Sequence, residues 1–152
     1  VFPNIKNEVK ALEFYEMSAS CGDLHAKFTL ASWLSSGRGR EDGAKDPERA
    51  FNIYLEAALA NHPVAAFNVG TMFFSGIGTI QDVDAARLWY DRAADNGVKE
   101  ALVNLGNMYR QGLGVAKDLD KACVYFARGA ETNEICKLLL DETMKQKSDE
   151  SI

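Results

Sequence analysis

The histidines are the first residues to weigh for catalysis or metal binding. The chain has two, His25 and His62, which stand 37 positions apart, and no cysteine or carboxylate at metal-ligand spacing accompanies them. A zinc site or a catalytic base needs several such groups that converge on one point. The sequence therefore predicts histidines at helix starts or on the surface, with no metal and no cofactor.

The cysteines are too few and too scattered for a disulfide framework or a CxxC metal site. They are Cys21, Cys123 and Cys136, and an odd number leaves at least one thiol unpaired, which favours a reducing compartment. In a helix hairpin that turns near Thr132, Cys136 should face a residue near Arg128, so a disulfide to Cys123 is not predicted. We expect a buried free thiol at Cys123.

Two other patterns are close to motifs of enzymes. The segment from Gly37 to Gly43 approaches the Gly-x-Gly-x-x-Gly fingerprint of dinucleotide-binding sites, but its last spacing is one residue too long. The carboxylates of Asp82 and Asp84 are better explained by a helix start than by acid–base catalysis. No Gly-x-Ser-x-Gly or Ser-x-x-Lys motif is present. The sequence thus favours a protein that is not an enzyme.

Composition limits the function classes further. The 152 residues are 47% hydrophobic and 26% charged, which is enough apolar material for the core of a single domain. No apolar run approaches the roughly 20 residues that a membrane-spanning helix needs, so direct membrane insertion is not predicted. The net charge of -5 and the lack of a basic cluster disfavour nucleic acid as a partner.

The beginning of the chain gives no targeting signal. Val1-Phe2-Pro3-Asn4 lacks the basic flank and apolar core of a signal peptide, and the missing initiator Met indicates a trimmed or excised piece. The compartment is not assigned. An intracellular location is favoured, with the cytoplasm, the mitochondrion and the lumen of the endoplasmic reticulum left open.

The elements that position these residues come from an internal repeat. A shift of 36 residues superimposes Val69-Gly70-x-x-Phe73-x-x-Gly76-x-Gly78 on Leu105-Gly106-x-x-Tyr109-x-x-Gly112-x-Gly114. An earlier copy contains Gly37-x-Gly39 and three extra residues in the loop between Arg40 and Lys45. Apolar residues recur at steps of three and four, so each copy predicts two helices.

The connection between the two helices of a copy has its own signals. Gly-x-Gly ends the first helix, because glycine adopts left-handed backbone geometry without steric cost. The second helix starts at a recurring aspartate, Asp46, Asp82 or Asp118, whose carboxylate can accept hydrogen bonds from free backbone N–H groups. Pro47 suits the first position of such a helix.

Stacked helix pairs share a continuous core, which predicts an all-α fold, an α-solenoid of antiparallel helix pairs in a right-handed superhelix. We predict one repeat domain over residues 1–147, followed by a polar, disordered tail at 148–152. Further repeats are expected before residue 1, because the first helix lacks its partner. The predicted segments of the domain are an orphan helix (6–21), three repeats (about 23–61, 62–97 and 98–133) and a capping helix (134–147).

These residues resemble the Sel1-like repeat family, a relative of the tetratricopeptide repeats. The third copy matches best, with Asn104-Leu105-Gly106, Tyr109, Gly112-Leu113-Gly114-Val115 and Tyr125-Phe126. The first copy departs most, since it has Ala31 in place of the glycine and carries the loop insertion. The resemblance implies a superhelix that serves as an adaptor or scaffold within protein complexes and is not catalytic.

In related superhelices, peptides bind along a concave stripe formed by the first helices of the repeats. By analogy, we assign partner binding to the residues of these helices that point away from the repeating core positions. This stripe comprises His25, Phe28, Ser32, Ser35, Phe67, Asn68, Thr71, Phe74, Ser75, Glu100, Val103, Asn104, Asn107, Arg110 and Gln111.

The predicted stripe has an apolar centre at Phe28, Phe67, Phe74 and Val103, with hydroxyl groups on one side. Arg110 lies on the other side, where it could bind a carboxylate or a peptide backbone. The sequence predicts recognition of a protein or peptide anchored by the aromatic residues, as part of a larger complex or a longer array. Three alternatives remain open: these Phe side chains pack under neighbouring repeats, the chain is a structural spacer or oligomerisation segment, or it is an enzyme accessory subunit with a buried small-molecule site.

Overall fold

The computed structural model describes residues 5–150, and within this range it contains helices and no strand. The prediction of an all-α repeat fold is confirmed. None of the described helices is long and apolar enough to span a membrane. The helices are α1 (Ile5–Ser20), α2 (Leu24–Ser36), α3 (Pro47–Leu59), α4 (Pro63–Ser75), α5 (Val83–Asp95), α6 (Lys99–Gln111), α7 (Leu119–Ala130) and α8 (Glu134–Asp149).

The chain divides into two compact units, Val1–Asp82 with α1 to α4 and Val83–Ile152 with α5 to α8. In the first unit, each helix packs on the next one along the chain. The second unit follows the same rule, and α8 also contacts α6. We call the first helix of each pair A-type (α2, α4, α6) and the second B-type (α3, α5, α7). By sequence register, α1 is a B-type helix and α8 an A-type helix.

Each A-type helix ends at the glycine that the sequence indicates. Gly37, Gly76 and Gly112 follow α2, α4 and α6 with φ of 78°, 68° and 73°, the left-handed region in which glycine is unstrained. The chain then crosses to the B-type helix, where Asp46 accepts a hydrogen bond from Arg49 N (3.1 Å) and Asp118 one from Lys121 N (2.9 Å). The predicted aspartate caps of α3 and α7 are thus confirmed.

Main-chain hydrogen bonds fix the same connection three times. The N–H groups of Asp46, Asp82 and Asp118 donate to carbonyl oxygens on the preceding A-type helices, at 2.8 to 2.9 Å. The acceptors are Leu34, Phe73 and Tyr109. Within the first and the second unit, respectively, the bonds of Asp46 and Asp118 hold the start of α3 beside the end of α2 and the start of α7 beside the end of α6.

Small and aromatic residues build the core of each unit. Ala50, Ala86 and Ala122 are fully buried at one position of the B-type helices. Four positions further, large aromatic rings fill the space between the helices. Those rings belong to Tyr54, Tyr90 and Phe126.

Two predictions need correction. The buried thiol is not Cys123, which is half-buried, but Cys136, which is 0% exposed because it takes the inward position of Ala101 on the next A-type helix and meets Gly129. The predicted polar tail is helical as far as Asp149, and its last two residues, Ser151 and Ile152, lie outside the described residues.

Candidate functional site

Helices α2, α3 and α4 of the first unit border an open groove of ≈ 290 Å³. We call it the Tyr54 groove. It brings together four residues of the predicted stripe, Ser35, Asn68, Thr71 and Ser75, and none of its lining side chains carries a charge. The full lining consists of Ser35, Tyr54, Asn68, Thr71, Met72, Ser75 and Ile77.

Tyr54 forms the floor of the groove. It belongs to the B-type helix α3, and the residue is 5% exposed. Burial raises the pKa of Tyr54 above 10.0, while interactions with the side chains of Ser32, Ser35 and Asn68 act in the opposite direction. The phenol therefore stays protonated at neutral pH and joins polar groups of α2 and α4 beneath the groove.

The hydroxyl groups around the groove donate to their own helices. Ser35 Oγ donates to Ser32 O (2.9 Å), Thr71 Oγ1 to Phe67 O (3.1 Å) and Ser75 Oγ to Thr71 O (2.9 Å). A hydroxyl has one donor and two acceptor lone pairs. Because the Ser35 and Ser75 donors point at helix carbonyls, their hydroxyl oxygens keep lone pairs that can accept hydrogen bonds.

Phe28 and His62 lie beside Tyr54 but outside the lining of the groove. The Phe28 ring stacks on the His62 imidazole (centroids 4.7 Å apart) and lies 5.7 Å from Tyr54 at a tilted angle. His62 caps α4, since its Nδ1 accepts a hydrogen bond from Ala65 N (3.1 Å). Burial, together with the neighbouring His25, lowers the pKa of His62. The prediction of a histidine at a helix start is thereby confirmed for His62.

The remaining stripe residues of the first unit lie outside the lining of the groove. His25 is exposed in the first turn of α2, and Ser32 is half-buried on the same helix. Phe67 and Phe74 on α4 are half-buried rather than open to solvent, and the carbonyl of Phe74 accepts a hydrogen bond from Gln81 Nε2 (2.8 Å). The Phe67 and Phe74 side chains are therefore partly shielded from solvent.

The stripe residues of the second unit lie on α6 and differ from one another in exposure. Glu100 and Gln111 are exposed, whereas Val103, Asn104 and Asn107 are half-buried. Asn107 Oδ1 is buried and accepts no hydrogen bond from the part of the chain that the structure describes. A buried acceptor without a donor lowers the stability of the folded chain, so the Asn107 amide oxygen on α6 is an unsatisfied hydrogen-bonding group.

Arg110 is held by groups of its own unit. Its Nη1 lies 3.3 Å from Glu142 Oε2 on α8, and its guanidinium is 6.0 Å from the centre of the Phe126 ring. The side chain is only 20% exposed. A carboxylate from a partner would therefore have to replace Glu142 or share the guanidinium with it.

Comparison with known proteins gives these repeats a name. The family model described as Sel1 repeat matches residues 5–23, 26–62, 63–98 and 99–132, which together make up most of the chain. The chain belongs to the Sel1 repeat family. Sel1 repeat proteins are generally non-catalytic scaffolds for protein interactions.

Two solved structures of Sel1 repeat proteins resemble the chain, each over 88% of its length. A Sel1 repeat protein from Oxalobacter formigenes is 33% identical with a TM-score of 0.81, and the match covers 54% of that protein. A protective antigen of uropathogenic Escherichia coli strains, described as displaying an SLR fold, is 26% identical with a TM-score of 0.82, and the match covers 28% of it.

A curated yeast protein is also similar. The chitin synthase regulator SKT5 of Saccharomyces cerevisiae is 33% identical over 92 residues, which are 60% of this chain and 13% of the yeast protein. The chain thus spans a small part of that relative and about half or less of the two solved proteins.

The Sel1 register places residues on the candidate surfaces that the sequence analysis missed. The sequence analysis does not single out Tyr54, which lies on the B-type helix α3 and lines the groove together with residues of the predicted stripe. On α8, Ile135 and Leu138 are 60% and 59% exposed at the positions that Glu100 and Val103 hold on α6. The sequence could have indicated this equivalence, because Asn133, the N-cap residue of α8, follows Val98, the N-cap residue of α6, by 35 positions.

The reactive side chains of these Sel1 repeats form no activated cluster in the described region. All three cysteines are free. Burial raises the pKa of the Cys123 and Cys136 thiols, which leaves both protonated at neutral pH. Within residues 5–150, no group of three or more His, Cys, Asp or Glu side chains could hold a metal ion.

Proposed function

We propose that this chain is a non-enzymatic adaptor that binds a peptide segment of a partner protein in the Tyr54 groove. The observation that carries the proposal is the chemistry of the lining. Ser35 and Ser75 contribute hydroxyl oxygens that can accept hydrogen bonds, Asn68 adds an amide, and Met72 and Ile77 supply apolar surface.

Such a lining suits the main chain of a peptide. A peptide backbone presents N–H donors and carbonyl acceptors, and the hydroxyl oxygens and the amide of Asn68 can pair with both. An uncharged groove has no ionic preference, so it would bind backbone and small apolar side chains in place of a charged group. The protonated phenol of Tyr54 holds the polar walls in place from below.

The stripe on α6 is the second contact that we propose for the partner. Val103 and Asn104 would contact the partner directly, and Arg110 would take a partner carboxylate in exchange for Glu142. His25, Phe28, Ser32, Phe67, Phe74, Glu100 and Gln111 remain proposed contacts at the margins of the two surfaces.

Selection from a phage-displayed library of random peptides tests the Tyr54 groove. Thr71 is exposed on the groove wall, so Thr71→Arg would fill the groove without changing the core. Ser36→Arg is the matched control, because Ser36 is exposed on α2 outside the lining. We expect peptides that bind the natural chain and the control equally, and that bind Thr71→Arg at least about tenfold more weakly.

Two outcomes of the peptide selection would contradict binding in the Tyr54 groove. If no peptide is enriched, or if selected peptides bind Thr71→Arg as tightly as Ser36→Arg, the groove is not a peptide site. The structural alternative, a spacer or oligomerisation segment, would then be preferred. A Phe74→Ala/Arg110→Ala double variant that leaves partner affinity unchanged would remove the stripe residues from the interface as well.

A further inference from the structure

Helices α1, α2 and α3 of the first unit border an open cavity of ≈ 360 Å³ that shares no lining residue with the Tyr54 groove. We call it the Ile53 cavity. Its apolar lining includes Leu30 and Ala19, which are 3% and 7% exposed, and the half-buried Ile53. The full lining consists of Glu16, Ala19, Ser20, Lys27, Leu30, Arg49, Ile53 and Glu56.

The internal repeat explains why the first unit has space at this place. In the register of the repeats, the position of Ile53 is held by Trp89 in the second copy and by Tyr125 in the third. Isoleucine has no ring, so the first copy lacks the aromatic side chain that the other two copies carry at this position. The cavity therefore lies where an aromatic ring is missing.

The second unit shows how a phenol is held at the equivalent place. Tyr125 on α7 donates its hydroxyl hydrogen to Asp91 Oδ1 on α5 (2.9 Å), and the Arg128 guanidinium lies 5.9 Å from the centre of the Tyr125 ring. Asp91 Oδ2 also lies 3.7 Å from Arg87 Nη1, so one carboxylate serves an arginine and a phenol. Burial, together with Asp91, raises the pKa of Tyr125 to about 12, which keeps the phenol in its donor form.

The first unit retains the carboxylate that would accept the missing phenol. Glu16 on α1 stands at the position of Asp91, and its Oε1 lies 2.9 Å from Arg49 Nη2. An ionised carboxylate has two oxygens and about four lone-pair sites. Glu16 can thus accept a phenolic O–H while it keeps Arg49, as Asp91 does with its two partners.

A cation also borders the cavity. Lys27 on α2 lies with its Nζ 2.7 Å from Glu56 Oε2, and its side chain is 22% exposed. Its equivalent in the second unit is Leu102, which is 6% exposed, so a lysine stands where the repeat has a core residue. An ammonium group over an aromatic face is attracted by the ring, and Lys27 can take the role that Arg128 has beside Tyr125.

We propose that the Ile53 cavity binds the side chain of a tyrosine from a partner protein. The ring packs on Leu30 and Ile53, its hydroxyl donates to Glu16, and Lys27 lies near its face. A protein is the source of this tyrosine, because Sel1 repeat proteins are generally scaffolds for protein interactions. The cavity is separate from the Tyr54 groove, so the two proposals stand or fall independently.

Titration of the isotope-labelled chain, followed by two-dimensional NMR, tests the proposal. The probe is N-acetyl-tyrosinamide, and the control compound, N-acetyl-phenylalaninamide, differs from it by the hydroxyl group alone. We expect the probe to cause saturable shifts of the amide signals of Ala19, Lys27 and Ile53. The control should bind at least about tenfold more weakly, because it cannot donate to the Glu16 carboxylate.

A variant that fills the cavity locates the binding site. Ile53→Tyr restores the ring that Tyr125 supplies in the second unit, and we expect it to weaken binding of the probe at least about tenfold. Asn52→Tyr is the matched control, because Asn52 is the exposed neighbour on α3 outside the lining, and it should bind as the natural chain does. Circular dichroism of both variants verifies that the helices persist.

A second variant tests the acceptor. Glu16→Gln replaces the carboxylate by a neutral amide, and hydrogen bonds to charged groups are roughly twice as strong as neutral ones. The preference for the tyrosine compound should therefore fall to about threefold, while the affinity for the phenylalanine compound stays the same. A residue that merely supported the fold would change both affinities alike.

Several results would overturn the proposal. These are the absence of saturable shifts, equal binding of the two compounds, and a preference for tyrosine that Glu16→Gln leaves unchanged. Binding to Ile53→Tyr that equals binding to Asn52→Tyr would place the probe outside the cavity. Tighter binding of free tyrosine than of N-acetyl-tyrosinamide would assign the cavity to a free amino acid in place of a protein side chain.

Discussion

Among single residues, Gly106 and Gly129 set the distance between paired helices. A Cβ at Gly106 would overlap the Phe126 ring, and one at Gly129 would overlap Cys136 Sγ. Both glycines lie inside helices, where glycine is otherwise less favourable than alanine. The close helix contact is therefore the reason for these glycines, and it makes both positions sensitive to the smallest enlargement.

Gly106→Ala should destabilise the second unit despite the better helix propensity of alanine. The added methyl group must displace the Phe126 ring, an overpacking that typically costs about 1–3 kcal/mol. Urea denaturation measures the free energy of unfolding. The control is Gly106→Ala combined with Phe126→Leu, which makes room for the methyl group; if both variants lose the same stability relative to their own glycine parents, the ring contact is not the cause.

His62 should make stability depend on pH. The folded chain holds His62 with a lowered pKa, because burial and His25 disfavour the imidazolium and because Nδ1 must accept the Ala65 N–H. The unfolded chain, with the ordinary value of 6.5, therefore binds more protons as pH falls. Stability should be constant above this value and decrease as pH drops below it.

Another helix of this chain suggests a matched variant for the pH experiment, because its N-cap is an asparagine. Asn133 caps α8 by accepting hydrogen bonds from Ile135 N (2.9 Å) and Cys136 N (3.3 Å), and it does not titrate. We expect His62→Asn to keep the cap and to flatten the loss of stability between pH 7 and about 5. An unchanged pH profile would contradict the role of His62. Because burial is the larger cause of the lowered pKa of His62 and His25 the smaller one, His25→Gln should reduce the pH dependence only in part.

The helices themselves are defined mainly by their ends. Asp23, His62 and Asn133 cap A-type helices with side chains, whereas Val98 before α6 makes no side-chain cap hydrogen bond. At the other end, a glycine in the left-handed region terminates each of α2, α4 and α6. Helices α2, α4 and α6 are each 13 residues long, which is too short for a helix to be stable alone, so caps and packing must act together.

Asp46→Ala should loosen the start of α3. The variant leaves Arg49 N without its side-chain acceptor, and the loss of an N-cap of this kind costs about 0.5–2 kcal/mol. Asp46→Ser, which restores an acceptor of similar reach, should recover most of the loss. Hydrogen exchange of the first turn of α3 locates the effect, and protection lost evenly over all helices would argue against a local cap.

Sequence patterns identify those ends because capping and turn geometry are local. Asp46, Pro47 and Gly112 interact with residues a few positions away, so their roles follow from type and spacing. The burial of Cys136 in place of Cys123 was not predictable in this way, since it depends on which face of α8 meets Gly129. The polar contacts of Tyr54 likewise depend on the approach of two other helices, and Arg110 could not be paired with Glu142 without the position of α8.

For the molecule as a whole, packing rather than ion pairing should dominate stability. The ion pairs join exposed or half-buried side chains, such as Lys27 with Glu56 (2.7 Å) and Arg128 with Asp95 (2.9 Å). Pairs of this kind contribute little and are screened by salt. The fully buried positions are instead filled by Ala, Leu and aromatic residues.

Stability should therefore respond weakly to ionic strength. Between low salt and 0.5 M NaCl, we expect the midpoint of urea denaturation to change by no more than about a tenth. Urea is the suitable denaturant, since guanidinium chloride would itself screen the charges. A large decrease in the urea midpoint would mean that ion pairs, rather than the core of alanine and aromatic residues, supply most of the folding stability.

The three main-chain bonds from Asp46, Asp82 and Asp118 to the carbonyls of Leu34, Phe73 and Tyr109 have an evolutionary consequence. Every amino acid except proline has the backbone N–H that these bonds need, so the side chains of the donor residues can change while the bonds persist. Tolerance of this kind fits relatives that retain the architecture at 26% and 33% identity. It also makes these loops suitable places for a reporter tag that leaves the inherited framework intact.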